Sequence, residues 1–420
     1  MKNYKNYISL GILILVLCGI IFAFSEISKN NNLTTTPTVQ SPPQPNFENI
    51  PARTSQNINV SFENNFGGNK SDTVFEVYKF NYYYIVGSSN STTKYFENCE
   101  NNTLFLLIIN NNGDVKNLIT LNISSSFNIV NTKIYENSIL ILIENNGLKL
   151  IEFNMQSEQF NVIFTSSNKP VDLCVSSEPI IISLVNNYTE FYFVNSKQKI
   201  NHNQKIFKPN LATDYANGTL LFFNEDNQFN ICLLTKNELS SLKIFENTNL
   251  ITFNITEENI VLLTKNNNLY SVIILDYNFN QLHKLSVPSG NNYKLNYLNN
   301  QHYLTYTVNN ALNLLTFCNH ADLLNTTIIQ QNVLNYYITM SNNINVVCKN
   351  TTNTITIANF DYLGKPTTQT TFKTSKNFEI KNVEIDNINT YTLIGNFEIT
   401  NPLITQNFGE YDIFICKVSA

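Results

Sequence analysis

Tryptophan is absent from this sequence, glycine occurs only 12 times in 420 residues, and charged side chains make up 14% of the chain. A typical soluble domain is about one quarter charged, so the amides and hydroxyls of Asn, Ser and Thr must carry much of the solvation. The formal net charge is −5 and no long basic run follows Lys5, which removes the electrostatic footprint of a nucleic-acid binder. There is no Walker loop and no Gly-x-Ser-x-Gly elbow, and Gly67-Gly68 is a lone pair suited to a turn. Nucleotide binding and nucleophilic catalysis therefore have no support. His202, His283, His302 and His320 are isolated in sequence and form neither HxH nor HExxH, so no metal site, cofactor or catalytic residue is expected.

Cysteines are few and scattered. Cys99, Cys174, Cys232, Cys318, Cys348 and Cys416 form no CxxC pair and lack the dense spacing of a disulfide scaffold. Cys232, Cys348 and Cys416 sit in apolar runs, where a thiol packs as a small hydrophobe. Buried free thiols are the expectation. Asp114, Asp226, Asp276 and Asp361 fall at turns, where Asp commonly bonds local backbone groups rather than calcium.

What is present begins with an uncharged run from Tyr7 to Phe24, preceded by Lys2 and Lys5. As a helix it would be about 27 Å long, close to the hydrocarbon thickness of a bilayer. The lysines place the short N-terminal side in the cytoplasm. This reading gives a cytoplasmic tip over 1–6, a transmembrane signal-anchor helix over 7–24 in contact with the lipid bilayer, and everything after it outside the plasma membrane. The alternative is a signal peptide cleaved near Ala23-Phe24-Ser25, which would make the protein secreted. Cys18 follows Leu17 where a lipobox has a small residue, which argues against lipidation. Residues 25–56 contain Thr-Thr-Thr-Pro-Thr and Ser-Pro-Pro-Gln-Pro, the composition of a disordered spacer.

From residue 57 to 420 the pattern is apolar, β-branched and aromatic runs of five to seven residues punctuated by Asn clusters. One series of turns joins clearly apolar strands through Asn-rich dipeptides or short loops. Asn tolerates positive φ, as primed hairpin turns require. A second series is centred near Gly113, Gln156, Lys197, Asn237, Phe279, Ala321 and Gly364, with gaps of 43, 41, 40, 42, 42 and 43 residues. A period near 42 with four strands per unit predicts the blades of an all-β propeller. An eighth unit near 378–418 stops after its third strand, and Asn57–Glu63 can supply the fourth and close the ring, removing an exposed edge. Eight blades are expected, with seven as the alternative. For a propeller, the missing tryptophan excludes the Asp-box of sialidase-like chains, the WD dipeptide and the Trp docking motifs of quinone-dependent dehydrogenases.

Two ends of the chain carry a family resemblance. Phe66-Gly-Gly-Asn-Lys-Ser-Asp72 is followed by Tyr84-Ile-Val-Gly87 and then by Leu104-Phe-Leu-Leu-Ile; Tyr391-Thr-Leu-Ile-Gly395 is followed by Phe408-Gly-Glu-Tyr-Asp-Ile-Phe-Ile-Cys416. Both resemble the SBBP β-propeller repeat of bacterial surface and secreted proteins. The match covers about a fifth of the chain; the middle six units lack these landmarks, and Asn-Lys-Ser-Asp stands where the family favours Gly-Asp-Asp. The resemblance implies a propeller on a bacterial exterior with a binding or structural role, and it transfers no catalytic residue.

One asymmetry points to a site. The second-to-third-strand loops of the first and last units, about 88–102 and 398–410, are long, while those of the middle six are short. Ring closure would set the two side by side. Their Tyr95, Phe96, Glu97, Glu100, Phe408 and Glu410 form an aromatic and acidic set suited to a surface protein or a polysaccharide. The leading expectation is a non-catalytic surface binding module. A glycan hydrolase or lyase with paired carboxylates at the central channel, and a structural component of an envelope complex, are the alternatives.

Overall fold

The computed structural model describes residues 59–419 except 69, 98, 100–101, 124, 187, 204–205, 207–209, 216–217, 226–227, 341–342, 351–353, 374–377, 388–389 and 399–410. All of them belong to one compact unit, residues 45–420. The expected anchor over 7–24 and spacer over 25–56 lie outside the described residues. No helix among the described residues is long and apolar enough to cross a membrane.

Among the described residues, 32 strands form eight four-stranded antiparallel sheets. Seven sheets are continuous in sequence. The eighth combines Phe378–Asn387, Thr390–Glu398 and Tyr411–Ser419 with the N-terminal strand Asn59–Phe66. Asn59 pairs with Ser419 and Phe66 with Ile413, so the ring is closed by strand pairing between the two ends. The eight-bladed expectation holds, and the closing strand runs three residues further than the sequence pattern suggests.

Numbering blades from Asp72, the first strands are Asp72–Lys79, Asn128–Tyr135, Lys169–Val175, Asn210–Tyr215, Asn249–Ile255, Asn291–Leu298, Val333–Met340 and Phe378–Asn387. These touch one another around the axis and line the channel, and the fourth strands form the partly exposed outer edge. A single four-stranded sheet is too thin to bury both faces of its middle strands. Accordingly the buried apolar residues fall into eight clusters, each shared by two neighbouring blades. One of these spans the seam, joining Ile394, Ile413 and Ile415 of blade eight to Phe105 and Leu107 of blade one.

Turn chemistry explains the economy of glycine. Asn267-Asn268, Asn299-Asn300 and Asn309-Asn310 have positive φ at both residues, the conformation of the primed two-residue hairpin. The third-to-fourth-strand turns place Gly113, Glu158, Lys197, Phe279, Ala321 and Gly364 at positive φ, matching the second turn series to within two residues. Asp276 Oδ1 accepts the N–H groups of Asn278 and Asn280, and Asp361 Oδ1 those of Leu363 and Lys365. These carboxylates do cap their own turns. Cys99, Cys174, Cys232, Cys348 and Cys416 are buried free thiols, and Cys318 is partly exposed.

Candidate functional site

The disc has two faces. The first carries the connections between blades and the second-to-third-strand loops; the second carries the other hairpin turns and the start of the closing strand at Asn59, opposite Ser419. The long loop of blade one lies on the first face beside the seam, and its base is held by a buried carboxylate. Asp72 Oδ2 accepts hydrogen bonds from Gly68 N at 2.8 Å and Ser91 Oγ at 2.8 Å, and Asp72 Oδ1 accepts one from Ser89 Oγ. Lys70 N donates to Ser91 Oγ at 3.0 Å. Asp412, from the third strand of blade eight, is buried against Asp72 and hydrogen-bonded to it. Two buried carboxyl groups in such contact favour retention of a proton between them. Burial pushes the Asp72 carboxyl above its ordinary range, and the bonds from Ser89, Ser91, Gly68 and Asp412 pull it back in part.

The glycine pair is required by this packing. A Cβ on Gly67 would lie 2.0 Å from Asp412 Oδ1, and one on Gly68 would lie 2.4 Å from Ser91 Cβ. Gly87 stands opposite Phe105 across the strand pair, and Gly395 stands opposite Phe414 in the same way in blade eight. A Cβ on Gly87 would meet the Phe105 ring at 2.3 Å. The Phe105 ring covers the gap that Gly87 leaves.

Of the six residues picked out from sequence, Tyr95 and Phe96 lie in a single 3₁₀ turn, Lys94–Phe96. Tyr95 is 49% exposed and packs edge-on against Phe66 of the closing strand at 5.4 Å. Phe96 is 2% exposed and packs on Phe105. Its ring belongs to the core of blade one, so it fixes the loop and offers no contact area. Glu97 is exposed. Glu100, Phe408 and Glu410 lie outside the described residues.

The axial channel is a second concentration of unusual residues, and it has no simple sequence signature. In every blade the pairing of the first and second strands slips near the first face. The slips fall between Val74 and Glu76, Ile129 and Asn131, Pro170 and Asp172, Leu211 and Asp214, Leu250 and Thr252, Asn291 and Lys294, Val333 and Asn335, and Ile380 and Asn382. A bulge of this kind re-aims side chains. Here the extra residue includes Phe75, Ile251 and Leu334, which are 38%, 37% and 59% exposed on strands whose free edge borders the channel. The half-buried Val130 and Val171 occupy the same position.

Just below this apolar collar the blades are laced together. Asn131 Nδ2 donates to Leu173 O at 3.4 Å, Lys294 Nζ to Tyr336 O at 3.1 Å and Asn382 Nδ2 to Val77 O at 3.2 Å. In each case the residue after the bulge reaches the same carbonyl of the next blade. The residue before the bulge is also held. Asn396 Oδ1 accepts Val74 N at 2.8 Å, and Asn224 Oδ1 accepts Leu250 N at 2.7 Å.

Glu76, Asp172, Glu384 and Lys133 bring charge to this level. Burial raises the Glu76 and Asp172 carboxyls above their ordinary values, with Lys133 pulling both down weakly. Glu384 and Glu76 both act on the Tyr337 hydroxyl, which burial pushes up to about 12. Elsewhere, folding brings His283 and His320 to 5.4 Å between ring centroids. No group of three or more His, Cys, Asp or Glu suited to a metal ion occurs among the described residues.

No protein-family model matches this chain, and no curated protein sequence matches it. Among solved structures, Sqt1 of Saccharomyces cerevisiae matches with a TM-score of 0.54 and 9% identity, over 86% of this chain and 99% of that one. A prolyl endopeptidase matches with a TM-score of 0.49 and 9% identity over 80% of this chain and 55% of that one. The acylaminoacyl peptidase of Pyrococcus horikoshii gives 0.43 and 11% over 80% and 60%. This chain thus spans little more than half the length of those two peptidases. At these identities the likeness shows the fold alone and assigns no catalytic activity to this chain. A closed ring of eight blades with its own loops and channel is, at this coarse level, the architecture of a binding or interaction module.

Proposed function

We propose that this protein is a membrane-anchored, extracytoplasmic, non-catalytic binding module whose first face holds a surface protein or a polysaccharide. The observation that carries this reading is the split between the two faces. Whatever precedes Asn59 joins the ring at the second face, while the long loop with exposed Tyr95 and the apolar mouth of the channel are both on the first. A tether through residues 7–24 and 25–56 would leave that first face unobstructed. The SBBP-like landmarks at Gly67-Gly68, Gly87, Gly395 and Asp412 support an exterior location by resemblance.

A photo-reactive amino acid placed at Tyr95, and separately at the 54% exposed Tyr362 of a second-face turn, tests the reading in cells. Cross-linked adducts at position 95 and not at 362 are expected. Adducts at 362 alone, or at neither position, would overturn it.

One observation favours a second reading, a glycan hydrolase or lyase. Glu76 and Glu384 come from the first strands of adjacent blades and both act on the Tyr337 hydroxyl, and glycoside chemistry uses two carboxylates. Under that reading the purified protein depolymerises an envelope polysaccharide and Glu76→Gln abolishes the activity.

A further inference from the structure

We infer that blades five and six are joined on the second face by an acid-sensitive latch, in which histidines hold the joint closed at neutral pH and open it as they take up charge. The latch lies on the face opposite the one assigned to binding and does not depend on that reading. The chain has four histidines, isolated in sequence, and folding brings three of them to one turn, residues 318–322, which links the third and fourth strands of blade six. His302, from the second strand of that blade, reaches the turn from inside, and its Nε2 lies 2.7 Å from Asn319 Oδ1. His320 is in the turn itself, and its ring centroid lies 5.4 Å from that of His283, on the fourth strand of blade five. The turn is also tied to blade five directly, since Asn319 Nδ2 donates to Glu258 Oε2 at 2.9 Å.

These contacts fix the protonation state that keeps the latch closed. The Asn319 amide donates to Glu258, so its oxygen is left to accept and His302 donates from Nε2–H. His302 Nδ1 is then a bare lone pair, buried without a hydrogen-bond partner in a residue that has no exposed surface. The imidazole lies between the rings of Tyr297 and Phe317, with centroids at 4.8 Å and 5.0 Å. A proton added at Nδ1 would be a buried donor with no acceptor, and the charge would be desolvated. Burial accordingly pushes this imidazole down to about 4, against a weaker upward pull from Asn319. The folded value lies below the unfolded one, so the stability this group contributes is present above the ordinary histidine value and is lost as pH falls from about 6.5 to about 4. The outer pair acts in the same direction, because His283 and His320 repel across the joint once both are charged. Among the described residues the acids at this corner are Glu257, Glu258 and Asp276 of blade five and Asp322 of blade six, and Lys284, Tyr277, Tyr297 and Cys318 complete the titratable set. The acids favour a charged His320 at the surface. None of them hydrogen-bonds His302, whose polar partner is Asn319, so the buried ring decides the sign.

Amide hydrogen exchange of the full-length chain in detergent, corrected for the intrinsic effect of pH, tests the latch at residues 318–322 against the corresponding turn of blade two, 155–158, which holds no histidine. Between pH 7 and pH 5 the corrected rate of the blade-six turn should rise on the order of tenfold, as expected when opening returns an imidazole held near 4 to its ordinary value. The blade-two turn should keep its rate. His302→Phe retains an aromatic ring between Tyr297 and Phe317 but takes up no proton; its blade-six turn should exchange faster than that of the wild-type chain at pH 7, with little further rise at pH 5. His320→Gln alters an exposed ring and should reduce the acid response without moving the melting temperature at pH 7. An unchanged blade-six rate in the wild-type chain, an equal rise in both turns, or an acid response undiminished in either variant overturns the inference. The comparison of the two turns within the wild-type chain decides the matter on its own if His302→Phe fails to fold.

Discussion

At the scale of single residues the seam depends on a buried carboxyl pair, Asp72 and Asp412. Asp72 is raised above its ordinary pKa chiefly by burial, so its unfolded state releases a proton more readily than its folded state. The stability it contributes is fully present below the ordinary carboxylate pKa and is lost as pH rises through the raised folded value. Thermal melts across acidic and neutral pH should therefore show stability falling as pH increases through that window. Asp412→Asn supplies a permanent donor to Asp72 and should flatten this dependence; an unchanged slope would show that the pair does not hold the proton. Asp72→Ala should cost about 2–4 kcal/mol in a denaturant melt at acidic pH, and less as pH rises through that window, because it leaves the buried Gly68 N–H and the Ser89 and Ser91 hydroxyls without their acceptor.

At the scale of elements, the inner-strand bulges decide where the apolar residues go. Each bulge leaves the backbone of the preceding residue out of step with its own sheet, and at two joints an Asn from the previous blade replaces the missing partner. Asn396 does this for Val74 across the seam, and Asn224 does it for Leu250 within the ring. Asn396→Ala and Asn224→Ala should each destabilise by about 1–3 kcal/mol, the cost of unpaired buried backbone groups. Hydrogen exchange should separate them, since Asn396 lies on the C-terminal part of blade eight, which is held to the closing strand by pairing alone, whereas blades four and five are joined directly by the chain. Similar exchange at Val74 and Leu250 in the two variants would count against a special role for the seam.

The same elements show what could be read in advance. Paired asparagines and the 42-residue turn series depend on backbone conformation, which residue type controls directly, so blade number and closure were legible. The bulges were not. Phe75, Ile251 and Leu334 look like ordinary core residues in their strands, and a one-residue slip in register, which no local preference signals, turns them toward the axis. Phe96 shows the converse: an aromatic in a polar loop reads as surface contact, but the space above Phe105 draws it inward.

For the whole molecule, everything rests on a ring joined by strand pairing rather than by the chain. Blade eight without Asn59–Phe66 is a three-stranded sheet with the edge of Tyr411–Ser419 uncovered, and the Phe66 ring is withdrawn from Tyr95. The buried cysteines report where such a change is felt. Cys416 and Cys99 pack in the clusters that flank blade eight, whereas Cys174 and Cys232 share the cluster between blades three and four on the far side of the ring. Deleting residues 59–66 from the full chain should raise the thiol-labelling rates of Cys416 and Cys99 by roughly tenfold or more and leave Cys174 and Cys232 nearly unchanged, as expected when opening is local to one joint. Uniformly faster labelling would mean that the ring unfolds as one cooperative unit, and unchanged labelling would mean that three strands suffice to close it. The position of the break also bears on function: a seam that opens locally frees the long loop of blade one. The deletion should therefore cost Tyr95 cross-linking while distant blades remain folded.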